Sequence, residues 1–153
     1  MRGYTYEPKT GETVARARGL ELQVSPKKTY EVLNAIRGLD LERARTILEG
    51  VVEGTTAIKF RRYNQETAHK KGIGPGRYPK KVAKQLLQIL QNAESNAEYD
   101  GMDTGGLYIQ VASCARGRIT KARMPRAHGR STNWNEQTTN VEIVLAERSE
   151  GAA

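Results

Sequence analysis

Between Lys121 and Trp134 the chain reads KARMPRAHGRSTNW, a run with Lys121, Arg123, Arg126 and Arg130 and no carboxylate. Such side chains do one piece of chemistry well: ammonium and guanidinium groups neutralise phosphate oxygens, and arginine adds planar, two-pronged hydrogen bonds. Arg116 and Arg118 extend the run toward the N-terminus, and His128, Asn133 and Trp134 add polar and stacking groups. A second segment, from Lys59 to Lys84, holds Lys59, Arg61, Arg62, Lys70, Lys71, Arg77, Lys80, Lys81 and Lys84 against Glu66 alone. Tyr63, Asn64 and Tyr78 lie among those cations, and rings so placed can stack on unpaired bases. Like charges at this density repel unless an anion neutralises them.

The whole chain points the same way. Its 153 residues carry 25 Lys and Arg against 17 Asp and Glu, a formal charge of +8 and a pI near 9.7, which implies a polyanionic partner. A membrane is the weaker choice, because a spanning helix needs roughly 20 consecutive apolar residues and the most apolar run, LLQILQNA, is short and broken by Gln. The opening MRGYTYEPKTGE has no apolar secretory core and reads as a polar, partly ordered tail. One cysteine, Cys114, leaves no internal disulfide and suits a reducing cytosol, where it reads as a small half-buried strand residue.

Catalytic signals fail one by one. His69 and His128 sit among basic residues, with no second ligand at metal spacing. A calcium-loop echo from Asn96 places Leu107 where the twelfth-position Glu is required. GIGPGR lacks both the third glycine of a dinucleotide loop and the Lys-Ser/Thr of a phosphate loop. No enzyme activity, cofactor, metal or small-molecule substrate is expected.

The elements that must position the cations follow from periodicity. Leu20, Leu22 and Val24 alternate with Glu21 and Gln23 as in a short strand. Ser25 then caps a helix with Pro26 in its first turn and Val32, Leu33 and Ile36 along one face, closed by Gly38. Asp40 starts a second helix whose Ala44, Ile47, Leu48 and Val51 face inward, stopped by Gly54. The Lys59–Lys84 segment with Gly72, Gly74 and Gly76 reads as a loop running into a third helix. That helix begins near Pro79, carries Val82, Leu86, Leu90 and Ala93 on one face, and ends between Asn96 and Gly101. LYIQVASC and NVEIVLAE are strand-like, the second with Val144 breaking its alternation. Paired antiparallel, they make one hairpin over residues 107–147, with arms that could reach on the order of 60 Å at ~3.3 Å per residue. Its outer part has almost no large apolar side chain to offset an ordering cost of about 1–2 kcal/mol per residue. It should therefore project from a fixed base and take full shape around a polyanion.

FRRYN (residues 60–64), GRYPKKVAKQLLQILQNAESNAE (76–98), MPRAHGRS (124–131) and EIVLAE (142–147) together resemble, in the right order, the universal large-subunit ribosomal protein family number twenty-two in its archaeal and eukaryotic form. The resemblance spans roughly Leu20 to Glu147. It implies an α+β domain, three helices on a three-stranded antiparallel sheet with a long protruding β-hairpin. That division puts the globular part at about residues 12–106 and 139–149 and the hairpin tip at about 120–130. It also implies binding to several segments of large-subunit ribosomal RNA, contact with neighbouring ribosomal proteins, and a hairpin lining the nascent-peptide exit tunnel. Carried over by motif, Thr120, Lys121, Ala122, Arg123 and Met124 would approach the nascent polypeptide, and Arg126, His128 and Arg130 would hold RNA. The rival reading is a DNA-binding regulator, since VLNAIRGLDLERARTIL can pass for two helices and a tight turn. Asp40, Glu42 and Glu49 mixed with Arg37, Arg43 and Arg45 make that surface poor for a groove.

Overall fold

The computed structural model describes residues 3–148. Strand β1 (Val14–Leu22) is followed by helices α1 (Pro26–Ile36) and α2 (Leu41–Glu53). Short strands β2 (Ile58–Lys59), β3 (His69–Lys70) and β4 (Gly74–Arg77) lead to α3 (Lys80–Tyr99). The chain then runs through β5 (Leu107–Thr120), β6 (Arg123–Pro125), β7 (Ser131–Asn133) and β8 (Glu136–Glu147). The main sheet is antiparallel in the order β1-β8-β5. The α+β class, the three helices and the long hairpin are as expected.

The helices α1 and α2 start directly after Ser25 and Asp40 as expected, although neither side chain makes a capping hydrogen bond. Pro26 occupies the first turn of α1, where its missing N–H costs nothing. Gly54 closes α2 at φ 96°, a left-handed conformation that glycine adopts without a Cβ clash, and its N–H donates to Gly50 O. Val32, Leu33 and Ile36 from α1, Ala44, Leu48 and Val51 from α2, and Leu86, Leu90 and Ala93 from α3 meet the inner face of the sheet in one core. Burying each large aliphatic side chain there contributes about 1.5–3 kcal/mol.

The first strand departs from expectation. It runs over Val14–Leu22, and its inward residues are Ala15 and Ala17, not Leu20, which is 55% exposed. Small alanines lie under α3, where a Cβ on Gly19 would stand 2.6 Å from Ile89 Cδ1. A bulge between Gly19 and Leu22, with Glu21 at φ 50°, then turns the expected alternation out of register.

The segment read as a polar, partly ordered tail is docked on the sheet over its described residues. Thr5 N and Tyr6 N each donate to the Glu142 carboxylate at 2.9 Å, and Tyr4 lies under the guanidinium of Arg16. This layer explains Val144: Val141, Ile143 and Leu145 enter the main core, while Glu142, Val144 and Ala146 are buried on the opposite face.

Pairing in the hairpin continues outward through Arg116↔Thr139, Ile119↔Gln137 and Thr120↔Glu136, then through Arg123↔Asn133 to Pro125↔Ser131. Every residue from Arg118 to Glu136 is exposed, so the backbone ladder and not side-chain burial holds the arm. From Arg118 to Pro125 it adds on the order of 25 Å at ~3.3 Å per residue.

Candidate nucleic-acid interface

The basic segment that reads as a loop is built instead on a small sheet in the order β2-β4-β3. Ile58 pairs with Arg77, Lys59 with Gly76, His69 with Pro75 and Lys70 with Gly74. Strands this short are not detectable by periodicity, and Gly-Pro-Gly within β4 reads locally as a turn. Gly76 is buried, and a Cβ there would press on Ile73 and Lys70 side chains at 3.0 and 3.2 Å.

The turn after β2 is fixed from inside. Phe60 is buried and its N–H donates to Pro75 O at 2.9 Å. The carboxylate of Glu31, only 1% exposed on α1, accepts from the N–H groups of Arg61, Arg62 and Tyr63 at 3.0, 2.8 and 2.7 Å. Three consecutive amides are thus satisfied by one buried charge, and the side chains of Arg61, Arg62 and Asn64 stand exposed. The Arg62 guanidinium lies 5.4 Å from the Tyr30 ring centroid and 5.5 Å from that of Tyr63, and the two rings meet edge-on at 84°.

The other cations divide into anchored and free-standing ones. Arg77 donates to Thr67 Oγ1 and Glu66 O and packs over Phe60. Lys80 Nζ donates to Glu53 O at 3.1 Å, placing its charge on the carbonyl end of α2. Lys70 Nζ sits 5.4 Å from the exposed Tyr78 ring. Lys59, Lys71, Lys81 and Lys84 are exposed.

On the arm, Arg126 N donates to Arg130 O and Arg126 Nε to Thr132 Oγ1, closing the tip. His128 there adopts φ 58°. Trp134 N donates to Ala122 O at 2.7 Å, while its side chain is 55% exposed. Lys121, Arg123, Met124 and Arg130 line the exposed outer arm together with Thr120, Ala122 and Asn133. These tip residues stand away from the basic segment. The root of the arm does meet it: Arg116 and Gln137 line a groove with Arg62 and Tyr63.

Sequence reasoning missed Glu31, Tyr30, Lys27 and Lys28. A single glutamate beside an apolar stripe carries no signal of a partner thirty residues away. Cys114 is half-buried, and burial pushes its thiol up against the opposing pull of Arg37, so it is a poor nucleophile at neutral pH. The turn between α1 and α2 is sewn to the sheet, with Gly38 N donating to Ile109 O and Ile109 N to Leu39 O, each at 2.9 Å. That turn is therefore not presented as a free helix-turn-helix. Among the described residues no cluster of His, Cys, Asp and Glu could hold a metal, and no helix is long and apolar enough to cross a membrane.

Comparison with known proteins matches the chain to one family. The family model for "Ribosomal protein L22p/L17e" matches residues 17–146. The "Large ribosomal subunit protein uL22" of Methanopyrus kandleri is 41% identical over 141 residues, covering 90% of this chain and 89% of the relative. The protein of the same name from Archaeoglobus fulgidus is 43% identical over 148 residues, 95% of this chain and 96% of the relative. That of Methanococcoides burtonii is 44% identical over 137 residues, 89% and 91%.

Proposed function

The chain belongs to the ribosomal protein L22p/L17e family, on the archaeal side of it, and from that premise we propose that its two cationic surfaces bind several segments of large-subunit ribosomal RNA while its arm lines the nascent-peptide exit tunnel. Membership makes it a structural, non-catalytic constituent of the large ribosomal subunit in the cytoplasm, partnered by ribosomal RNA and other ribosomal proteins. The observation that carries the finer reading is the arm: an exposed ladder from Arg118 to Glu136 with no carboxylate before Glu136 itself. A shape like that gains little in water. Between RNA segments, phosphates on several sides neutralise Arg116, Arg118, Arg126 and Arg130, leaving Thr120 to Met124 to face the tunnel.

Two measurements test the assignment. Binding of the full chain to a large-subunit ribosomal RNA fragment should weaken steeply with salt, log K falling by roughly 0.7–0.9 per neutralised phosphate. A salt-insensitive complex would oppose the proposal. Deleting Lys121 to Arg123 should leave incorporation into subunits nearly intact and change cross-linking to nascent peptides, whereas charge reversal at Arg61, Arg62, Lys81 and Lys84 should impair incorporation. Equal assembly defects from both changes would refute the division of roles.

A further inference from the structure

We propose that the groove between the first turn of α1, the Arg61–Tyr63 turn and the root of the arm is a subsite for a single unpaired RNA nucleotide, its base stacked in the Tyr30–Tyr63 corner and its phosphates held by Lys27 and Arg116. The proposal rests on the RNA-binding reading above and specifies which RNA feature this part of the surface takes.

Two hollows of about 570 and 340 Å³ share Ser25, Lys27, Arg62 and Tyr63. Their cations are Lys27, Lys28, Arg62, Arg77 and Arg116, and Glu66 is the one carboxylate among the lining residues. The Tyr30 and Tyr63 rings, 5.9 Å apart and nearly perpendicular, form a corner, with Arg62 over both and the Lys27 ammonium 5.8 Å from the Tyr63 centroid. A duplex offers such a corner nothing, because its base faces are already stacked and its phosphates lie on a convex surface. An unpaired nucleotide brings a free ring face together with phosphates on either side, matching aromatic and guanidinium planes beside cations.

The groove is also built in advance. Four polar or charged residues are buried among the described ones, and three of them pin its walls. Glu31 holds the amides of Arg61, Arg62 and Tyr63. Thr139 Oγ1 donates to Val24 O at 2.7 Å, tying the chain just before Ser25 to β8. Thr29 Oγ1 donates to Ser25 O at 2.9 Å, fixing the first turn of α1. Walls held this way lose little freedom when a ligand arrives, so more of the contact energy appears as affinity.

The test compares an RNA hairpin carrying a one-nucleotide bulge with the same hairpin lacking the bulge, both closed by a non-nucleotide linker so that the bulge is the one unpaired nucleotide, each titrated into the full chain. The bulged RNA should bind about ten-fold tighter, the size of one base–aromatic stack, and Tyr63→Leu should remove that advantage by weakening the bulged complex selectively. Arg116→Gln, an exposed change at the arm root, should weaken the bulged complex and shallow its salt slope by roughly 0.7–0.9, one phosphate. Equal affinity for the two hairpins, or an equal loss for both on Tyr63→Leu, would overturn the subsite while leaving RNA binding in place. Should neither hairpin nor a large-subunit RNA fragment bind, the underlying reading would fall instead.

Discussion

Replacing Glu31 by alanine removes the acceptor for three backbone N–H groups at once. A hydrogen bond to a charged group contributes about 1.5–3 kcal/mol when its partner cannot be replaced. The turn over Arg61–Tyr63 is only part-buried, so water recovers some of that, and about 1 kcal/mol per amide is a fair residue. Three amides then total about 3 kcal/mol, out of the roughly 5–15 kcal/mol typical of a domain. At about 2–4 °C per kcal/mol for a chain of this length, thermal unfolding followed by circular dichroism should move down by about 6–12 °C. Hydrogen exchange at Arg61, Arg62 and Tyr63 should accelerate more than at core amides such as Ile143. Glu31→Gln should fall between: its single carbonyl can keep Arg62 and Tyr63, but its amide group meets the Arg61 N–H with a donor. If the alanine variant melted within about 2 °C of the parent and kept protection at residues 61–63, the role given to Glu31 would be wrong.

Glu142→Gln should loosen the N-terminal layer, because one of the Thr5 and Tyr6 amides loses its acceptor; limited proteolysis ahead of Val14 should speed up while the melting point falls by only a few degrees. Glu12 is held below its ordinary value of 4.5, first by the Gln110 side-chain amide, then by the Lys9 N–H and the Tyr6 hydroxyl. A depressed folded-state value stabilises above the unfolded value and is lost as pH falls through the folded one. Denaturant midpoints should therefore drop below about pH 4.5 in the parent and less so in Glu12→Gln. At Gly117 an added Cβ would stand 2.3 Å from Thr138 Oγ1 and 3.1 Å from the Thr138 carbonyl carbon. Gly117→Ala should thus disturb the bulge at the arm's waist, raising exchange at Arg118 to Thr120 with little change in core stability, and unaltered exchange there would count against that geometry.

Much of the fold was legible because helix signals are local. Ser25-Pro26, Asp40 and Gly54 mark boundaries within a few residues of themselves, and the stripe from Val82 to Ala93 repeats often enough to be unmistakable. The strand ends misled for a different reason. Ala15 and Ala17 are buried because α3 lies close to β1, a fact about a neighbour and not about the residues. The β2-β4 pairing and the Glu31 anchor depend on partners that are far apart in the chain, Ile58 with Arg77 and Glu31 with Arg62, and nothing within a short window announces them. The cationic side chains were identifiable as a set. Which of them converge was not, since only folding brings Arg116 beside Arg62 and Tyr63.

The placement of β8 has a bearing on how the molecule is made. Both β1 and β5 pair with β8 and not with each other, so Val14 finds its partner in Ala146 and Leu107 in Glu147. During synthesis the helices can coil as they emerge, but β1 must wait, its ladder groups open, until the last strand is polymerised. Closure of the sheet is then a late, long-range event whose slow step is bringing distant segments together. A chain halted before Val141 would hold every helix, the small β2-β4-β3 sheet with its cations and the whole arm, and would still lack the β1-β8-β5 sheet on which they are mounted.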